Sequence, residues 1–128
     1  MTLVLDAGGL SGLAGQRARL IALRDRGLWP AEVPAPVLTE ALTGDHRRDF
    51  HVNRLLRACL VRPADEVTAR SAARLRTATG RAATISATDA IVAAHAAGRP
   101  EPIVLTSDPG DIGALVQHAE RRVTVVPV

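Results

Sequence analysis

The sequence predicts an α/β fold: a three-layer α/β/α sandwich whose central, mainly parallel sheet holds about five strands. Three observations carry this reading. Short apolar runs alternate with longer stretches of helical periodicity. The connections between them are short. The first run, Thr2-Leu3-Val4-Leu5, leads straight into Asp6. An apolar run at the start of such a chain becomes a strand buried on both faces, and an acid at its end lies at the carboxyl edge of the sheet, where open α/β folds place ligands.

The elements follow in order. After Asp6 the chain breaks at Gly8-Gly9, and Leu10, Leu13, Leu20, Ile21 and Leu23 then predict a helix from about Ser11 to Arg26. Ser11 is its candidate cap and Gly27 its stop. Glu32 to Ala35 reads as the second strand. Pro36 suits the first turn of a helix that ends near Gly44. Asp45 to Leu56 reads as a third helix, and Cys59-Leu60-Val61 as a short strand closed by Pro63. A fourth helix spans about Ala64 to Thr79, with Asp65 and Glu66 favourable to its dipole and Gly80 as its end. Ser86 to Ala97 is a fifth, apolar helix. Pro102 to Thr106 is a strand ending on Ser107-Asp108. Pro109 opens a helix to about Glu120, and Val123 to Val126 is the last strand.

A chain of 128 residues fits one domain, 1–128, with one core. No repeat, linker or low-complexity tract interrupts it. Aromatic residues are nearly absent, so the core must come from Ala, Val, Leu and Ile. All sixteen basic residues are arginine. The missing lysine excludes a phosphate-binding loop of the usual kind and any Schiff-base enzyme. Net charge is +3 and the pI near 10.8, mildly favourable to an anionic partner. A single cysteine, Cys59, precludes an internal disulfide and suits the reducing cytoplasm. No leader or membrane span is expected. His46, His51, His95 and His118 form no zinc pattern, and no nucleophile elbow is present.

Four acids stand beside apolar structure rather than on solvated faces. Asp6 and Asp108 end strands, Glu40 lies among Val37, Leu38, Ala41 and Leu42, and Asp89 opens the most apolar helix. Each has an ordinary role available. Asp6 can cap the first helix, Asp108 can cap the helix at Pro109 with Asp111 completing the pair, Asp89 can favour its helix dipole, and Glu40 can sit in solvent. Shared cap duty does not explain why strand ends and the most apolar helix start all carry acids. If the four converge, their charges repel and burial raises their pKa values. A hard divalent cation, Mg²⁺ or Mn²⁺, removes that conflict and suits phosphoryl transfer.

Four segments together resemble the PIN-domain family, the metal-dependent ribonuclease fold of VapC-type toxins from bacterial toxin–antitoxin pairs. LVLDAGG is similar to the family's opening strand, with its first acid at Asp6. PAPVLTEALTG resembles the second motif, with Glu40. ISATDAIVAAHA is the strongest match and places the third acid at Asp89. IVLTSDPGDIGAL resembles the closing motif, with Thr106 at the family's threonine and Asp108 as the fourth acid. The resemblance spans nearly the whole chain and implies a PIN-like sandwich. It implies an endoribonuclease in which Asp6, Glu40, Asp89 and Asp108 are catalytic and hold Mg²⁺ or Mn²⁺, with Thr106 and Asp111 in support. It further implies an RNA substrate, a cognate VapB-like antitoxin and a homodimer. Arginines on the first helix, and Arg47, Arg48, Arg54 and Arg57 on the third, are candidates for RNA backbone contacts. The chain departs from the family directly after the first acid. Ala7 and Gly8 stand where the family carries a hydroxyl and then a polar side chain. That departure motivates an alternative, a PIN-fold RNA- or protein-binding module with weak or absent nuclease activity. A Rossmann-like nucleotide binder is a more distant third, because Gly8-Gly9-Leu10-Ser11-Gly12 does not fit a dinucleotide loop.

Overall fold

The computed structural model describes residues 1–128. Its sheet is built from β1 (Thr2–Leu5), β2 (Glu32–Pro34), β3 (Leu60–Arg62), β4 (Pro102–Thr106) and β5 (Thr124–Pro127). The order across the sheet is β3-β2-β1-β4-β5, and every neighbouring pair is parallel. The apolar strands take the middle. β1 and β4 run side by side in register, Leu3 with Ile103 and Leu5 with Leu105. Leu3, Val4, Leu5, Val33, Val104 and Leu105 are all buried, whereas the edge strand β3 is exposed along its length. Each such side chain contributes roughly 1.5–3 kcal/mol by leaving water.

Parallel neighbours require crossovers, and the helices supply them. They are α1 (Ala7–Ala14), α2 (Arg17–Asp25), α3 (Leu38–Ala41), α4 (Phe50–Leu56), α5 (Glu66–Ala78), α6 (Ala87–Ala97) and α7 (Pro109–Val116). One group packs α1 against α2, α3 and α4. The other packs α5, α6 and α7 together. The two groups flank the sheet as a three-layer α/β/α sandwich, and one continuous core of 23 buried residues runs through the layers. The chain lays down β1, β2 and β3 outward in one direction, then returns to place β4 and β5 on the other side of β1. The crevice at the carboxyl ends of β1 and β4 is therefore the topological switch point, where this architecture holds its ligands. No helix is long and apolar enough to cross a membrane.

Several boundaries differ from the sequence reading. The first helix starts at Ala7, not Ser11, because Asp6 is its cap: the Asp6 carboxylate accepts the Gly9 amide at 2.6 Å. Ser11 lies exposed inside the helix. Gly8 and Gly9 are helical rather than a break, and they let α1 press on β4. A Cβ on Gly8 would stand 1.7 Å from Ser107 Oγ, and one on Gly9 would stand 2.1 Å from the Leu105 carbonyl oxygen. The predicted continuous helix is instead two, parted at Gly15-Gln16. Gly27 does stop the second: at φ 75 its amide and that of Leu28 return to the carbonyls of Arg24 and Leu23. The helix predicted from Pro36 begins as a 3₁₀ turn, Ala35–Val37, and ends after Ala41.

The helix predicted from Asp45 begins only at Phe50. The preceding residues are held in turns by the buried Asp49 carboxylate, which accepts amides of Thr43 and Gly44 and the Thr43 hydroxyl. Those bonds hold the Asp49 pKa below the usual range. Helix α7 ends at Val116, short of Glu120.

Candidate metal centre

Helix caps deliver the acids to the switch point. Asp6 follows β1 and caps α1. Asp108 follows β4 and caps α7, accepting the Asp111 amide at 3.2 Å. Asp111 thereby enters the first turn of α7. Ser86 caps α6 by accepting the Asp89 amide at 3.0 Å, which sets Asp89 in the first turn of that helix. The ordinary cap roles and the convergence of acids are thus one arrangement. Strands ending at the carboxyl edge must hand over to helices whose N-termini start there, and acids suit those N-termini.

Asp89, Asp108 and Asp111 come closest together. One ligand oxygen from each lies within 4.8 Å of the others. Asp111 therefore belongs to the tight group, whereas the family resemblance assigns it only a supporting place. Asp6 and Glu40 stand outside it. Asp6 is 4% exposed and both of its oxygens have protein donors, the Gly9 amide on Oδ1 and the Thr106 hydroxyl on Oδ2. Thr106, fully buried, also accepts the Asp108 amide at 2.8 Å. One hydroxyl thus ties the first acid to the fourth. Glu40 is exposed on α3.

Electrostatics join the outer acids to the inner group. The Asp89 carboxyl is pushed up to about 6, first by burial and then by the charges of Asp6, Asp108 and Glu40. Asp6 is raised too, chiefly by burial, with Asp108 adding and the bonds from Thr106, Gly9 and Ser107 opposing. Four of the acids named by the sequence therefore share one local field. The donor set is carboxylate oxygen throughout, the set a hard divalent cation prefers. The mutual repulsion that raises Asp89 is what such a cation relieves, so the residues fit the group.

Three features escaped the sequence reading. Arg81, in the loop between α5 and α6, donates from Nη2 to Asp111 Oδ1 at 2.7 Å. No local pattern marks a pair thirty positions apart. Ser107 fills the space beside Gly8, so its hydroxyl stands where a side chain at position 8 would stand. Glu32 is buried at the start of β2 and meets His95 Nε2 at 2.8 Å, Arg99 Nη2 at 2.9 Å and Arg62 Nε at 3.8 Å. The signal for that network was present, because a carboxylate inside a buried strand requires partners. It lies where β2 begins and α6 ends, at the sheet edge opposite the acids.

Other polar surfaces are simpler. Arg19 donates to the Pro127 carbonyl at 2.8 Å and so ties α2 to β5. Arg17, His51 and Arg54 rim a groove floored by Leu13, Leu20 and Leu55. Cys59 is free and half-buried, with burial pushing its thiol up to about 12 and so favouring the neutral thiol. Compared with known proteins, the chain matches no family model and no curated protein.

Proposed function

We propose that this chain is a divalent-metal-dependent endoribonuclease of PIN type, the toxin of a type II toxin–antitoxin pair acting in the cytoplasm. The observation that carries the reading is the Asp89–Asp108–Asp111 group within 4.8 Å, at the switch point of an all-parallel sheet. Asp89, Asp108 and Asp111 would hold Mg²⁺ or Mn²⁺, with Asp6 and Glu40 adding negative charge from just outside. A bound cation of this kind lowers the pKa of a water and offsets charge on a phosphodiester. The chain's own residues prepare for that. Thr106 and the Gly9 amide fix the Asp6 carboxylate, so its charge stays in place without reorganisation. Ser86 and Asp108 fix the backbone of the helix starts that carry Asp89 and Asp111. The chain's excess of arginine would supply phosphate contacts and raise the local concentration of RNA.

The test is cleavage of single-stranded RNA by the purified chain with Mn²⁺, against chelator and against Asp89→Asn. Loss of cleavage in both arms, with the variant still folded, is the expected result. Full activity of Asp89→Asn sinks the mechanism. One observation favours a second reading, a binding module without catalysis. Arg81 already neutralises Asp111, and protein donors already serve both oxygens of Asp6. That module retains RNA when metal is stripped and cuts it under no condition. The family's antitoxin partnership and dimerisation belong to the first reading, and co-expression with an adjacent small DNA-binding protein tests them.

A further inference from the structure

We propose that Arg81 is a built-in counter-ion of the acid cluster: its guanidinium engages Asp111 and limits how tightly the cluster takes a divalent cation. The proposal rests on the metal reading above and concerns a residue that reading does not use.

The placement of Arg81 is set by its loop. Its amide donates to Thr79 Oγ1 at 3.0 Å, and its carbonyl accepts the amides of Thr84 and Ile85 at 2.9 and 3.0 Å. Arg76 Nε donates to the Ile85 carbonyl at 2.7 Å and pins the far end of the loop to α5. From this base the side chain reaches Asp111 Oδ1 at 2.7 Å, one of the three acids in the tight group. The side chain of Asp111 is 20% exposed and that of Arg81 is 49% exposed, so the pair stands at the rim of the crevice, within reach of an entering ion.

A guanidinium cannot lose its proton, so it is a permanent positive charge beside a site that needs negative charge. It has two opposing effects on a cation. It repels the incoming charge, and it holds Asp111 in place. A long-range charge acts on the ion whichever way the carboxylate turns, whereas the Arg81 bond orients only one carboxylate oxygen, on a backbone that the α7 cap already holds. Repulsion therefore wins. Water at the rim screens it, which sets the effect at about three- to tenfold in affinity.

The experiment is calorimetric titration of Mn²⁺ into the full chain at neutral pH and low salt, for wild type, Arg81→Gln, Arg81→Lys and Asp89→Asn. Arg81→Gln should bind Mn²⁺ about three- to tenfold more tightly, and Arg81→Lys, which keeps the charge and loses the fork, should stay near wild type. Unchanged affinity in Arg81→Gln overturns the proposal. Weaker affinity also overturns it and makes Arg81 an orienting residue for Asp111. If wild type, Arg81→Gln and Asp89→Asn all fail to bind Mn²⁺, the metal reading itself has failed and takes the proposal with it. If wild type binds and Asp89→Asn does not, the Arg81 comparison alone decides. Melting in chelator separates a folding defect from a change at the site, since a purely structural Arg81 would lower the melting temperature and leave the affinity alone.

Discussion

Thr106 donates its hydroxyl hydrogen to Asp6 across the seam between β4 and β1, and accepts the Asp108 amide with the same oxygen. The contact spans a hundred positions of sequence. It sits one step past the last paired residues, Leu5 and Leu105, so strand register fixes it. A fully buried threonine thus acts as a polar latch between two acids that would otherwise only repel.

Replacing that latch tests it. Thr106→Val keeps the shape and removes the hydroxyl, leaving a buried Asp6 oxygen and the Asp108 amide short of a partner. The expected cost is about 1–3 kcal/mol of stability by urea unfolding, with Thr106→Ser recovering most of it. Mn²⁺ affinity should fall in the valine variant, since Asp6 and Asp108 lose their common anchor. Wild-type stability in Thr106→Val would mean that the bond contributes nothing.

The Asp89 carboxyl predicts an unusual pH dependence for the protein in chelator. It titrates near 6 in the fold and near 3.8 when the chain is unfolded. Between those values the folded state holds a proton that the unfolded state has lost. The stability this contributes is complete below about pH 4 and is lost as pH rises through about 6. Asp89→Asn removes both the titration and the repulsion. The variant should therefore gain on wild type steadily from pH 4 to 7 in thermal melts, while losing Mn²⁺ binding. In wild type, Mn²⁺ at a hundred times its dissociation constant should restore about 2.7 kcal/mol, a rise of roughly 10 °C for a chain of this size. A flat difference between the two proteins across that pH range would show that Asp89 does not carry the shift.

Much of this acid group was legible in the chain because helix caps and first turns draw on acids. Strand period, helix period and Pro or Gly punctuation placed Asp6, Asp89 and Asp108 at element ends, and the topology brought those ends together. Ser11, Gly8 and Gly9 were misread for a physical reason. Glycine signals a break only when its freedom of φ is used, as at Gly27 and Gly80. At Gly8 and Gly9 it is the absence of a side chain that the fold requires, and only the approach of β4 reveals it. Arg81 and Asp111 meet through tertiary structure alone, so no periodicity could pair them.

The Glu32 network makes a separate prediction about the opposite edge of the sheet. Glu32 is buried with His95, which is 11% exposed, yet Arg62 and Arg99 are 45% and 39% exposed and can turn to water if it is lost. Breaking a fully enclosed ion pair costs 3–5 kcal/mol, so the loss here should be smaller, about 1–3 kcal/mol for Glu32→Gln. Because the network lies where α6 ends rather than where it begins, Mn²⁺ affinity should be unchanged. Unfolding by urea and a metal titration on the same sample check both halves. A variant that keeps its stability, or binds Mn²⁺ differently from wild type, contradicts the proposed division of the sheet into a binding edge and a structural edge.

The glycines under α1 set how closely the first helix and its acid approach β4. A methyl at position 9 meets backbone, the Leu105 carbonyl oxygen at 2.1 Å, which cannot rotate aside. A methyl at position 8 meets the Ser107 side chain, which can move or be removed. Gly9→Ala should therefore cost more than 3 kcal/mol, and Gly8→Ala about 1–3 kcal/mol. Ser107→Gly combined with Gly8→Ala should recover most of the smaller loss and none of the larger when combined with Gly9→Ala. That asymmetry, measured as a double-mutant cycle, isolates the Gly8–Ser107 contact from general strain in the helix. Equal rescue of both glycine variants would place the strain in α1 itself rather than at its contact with β4.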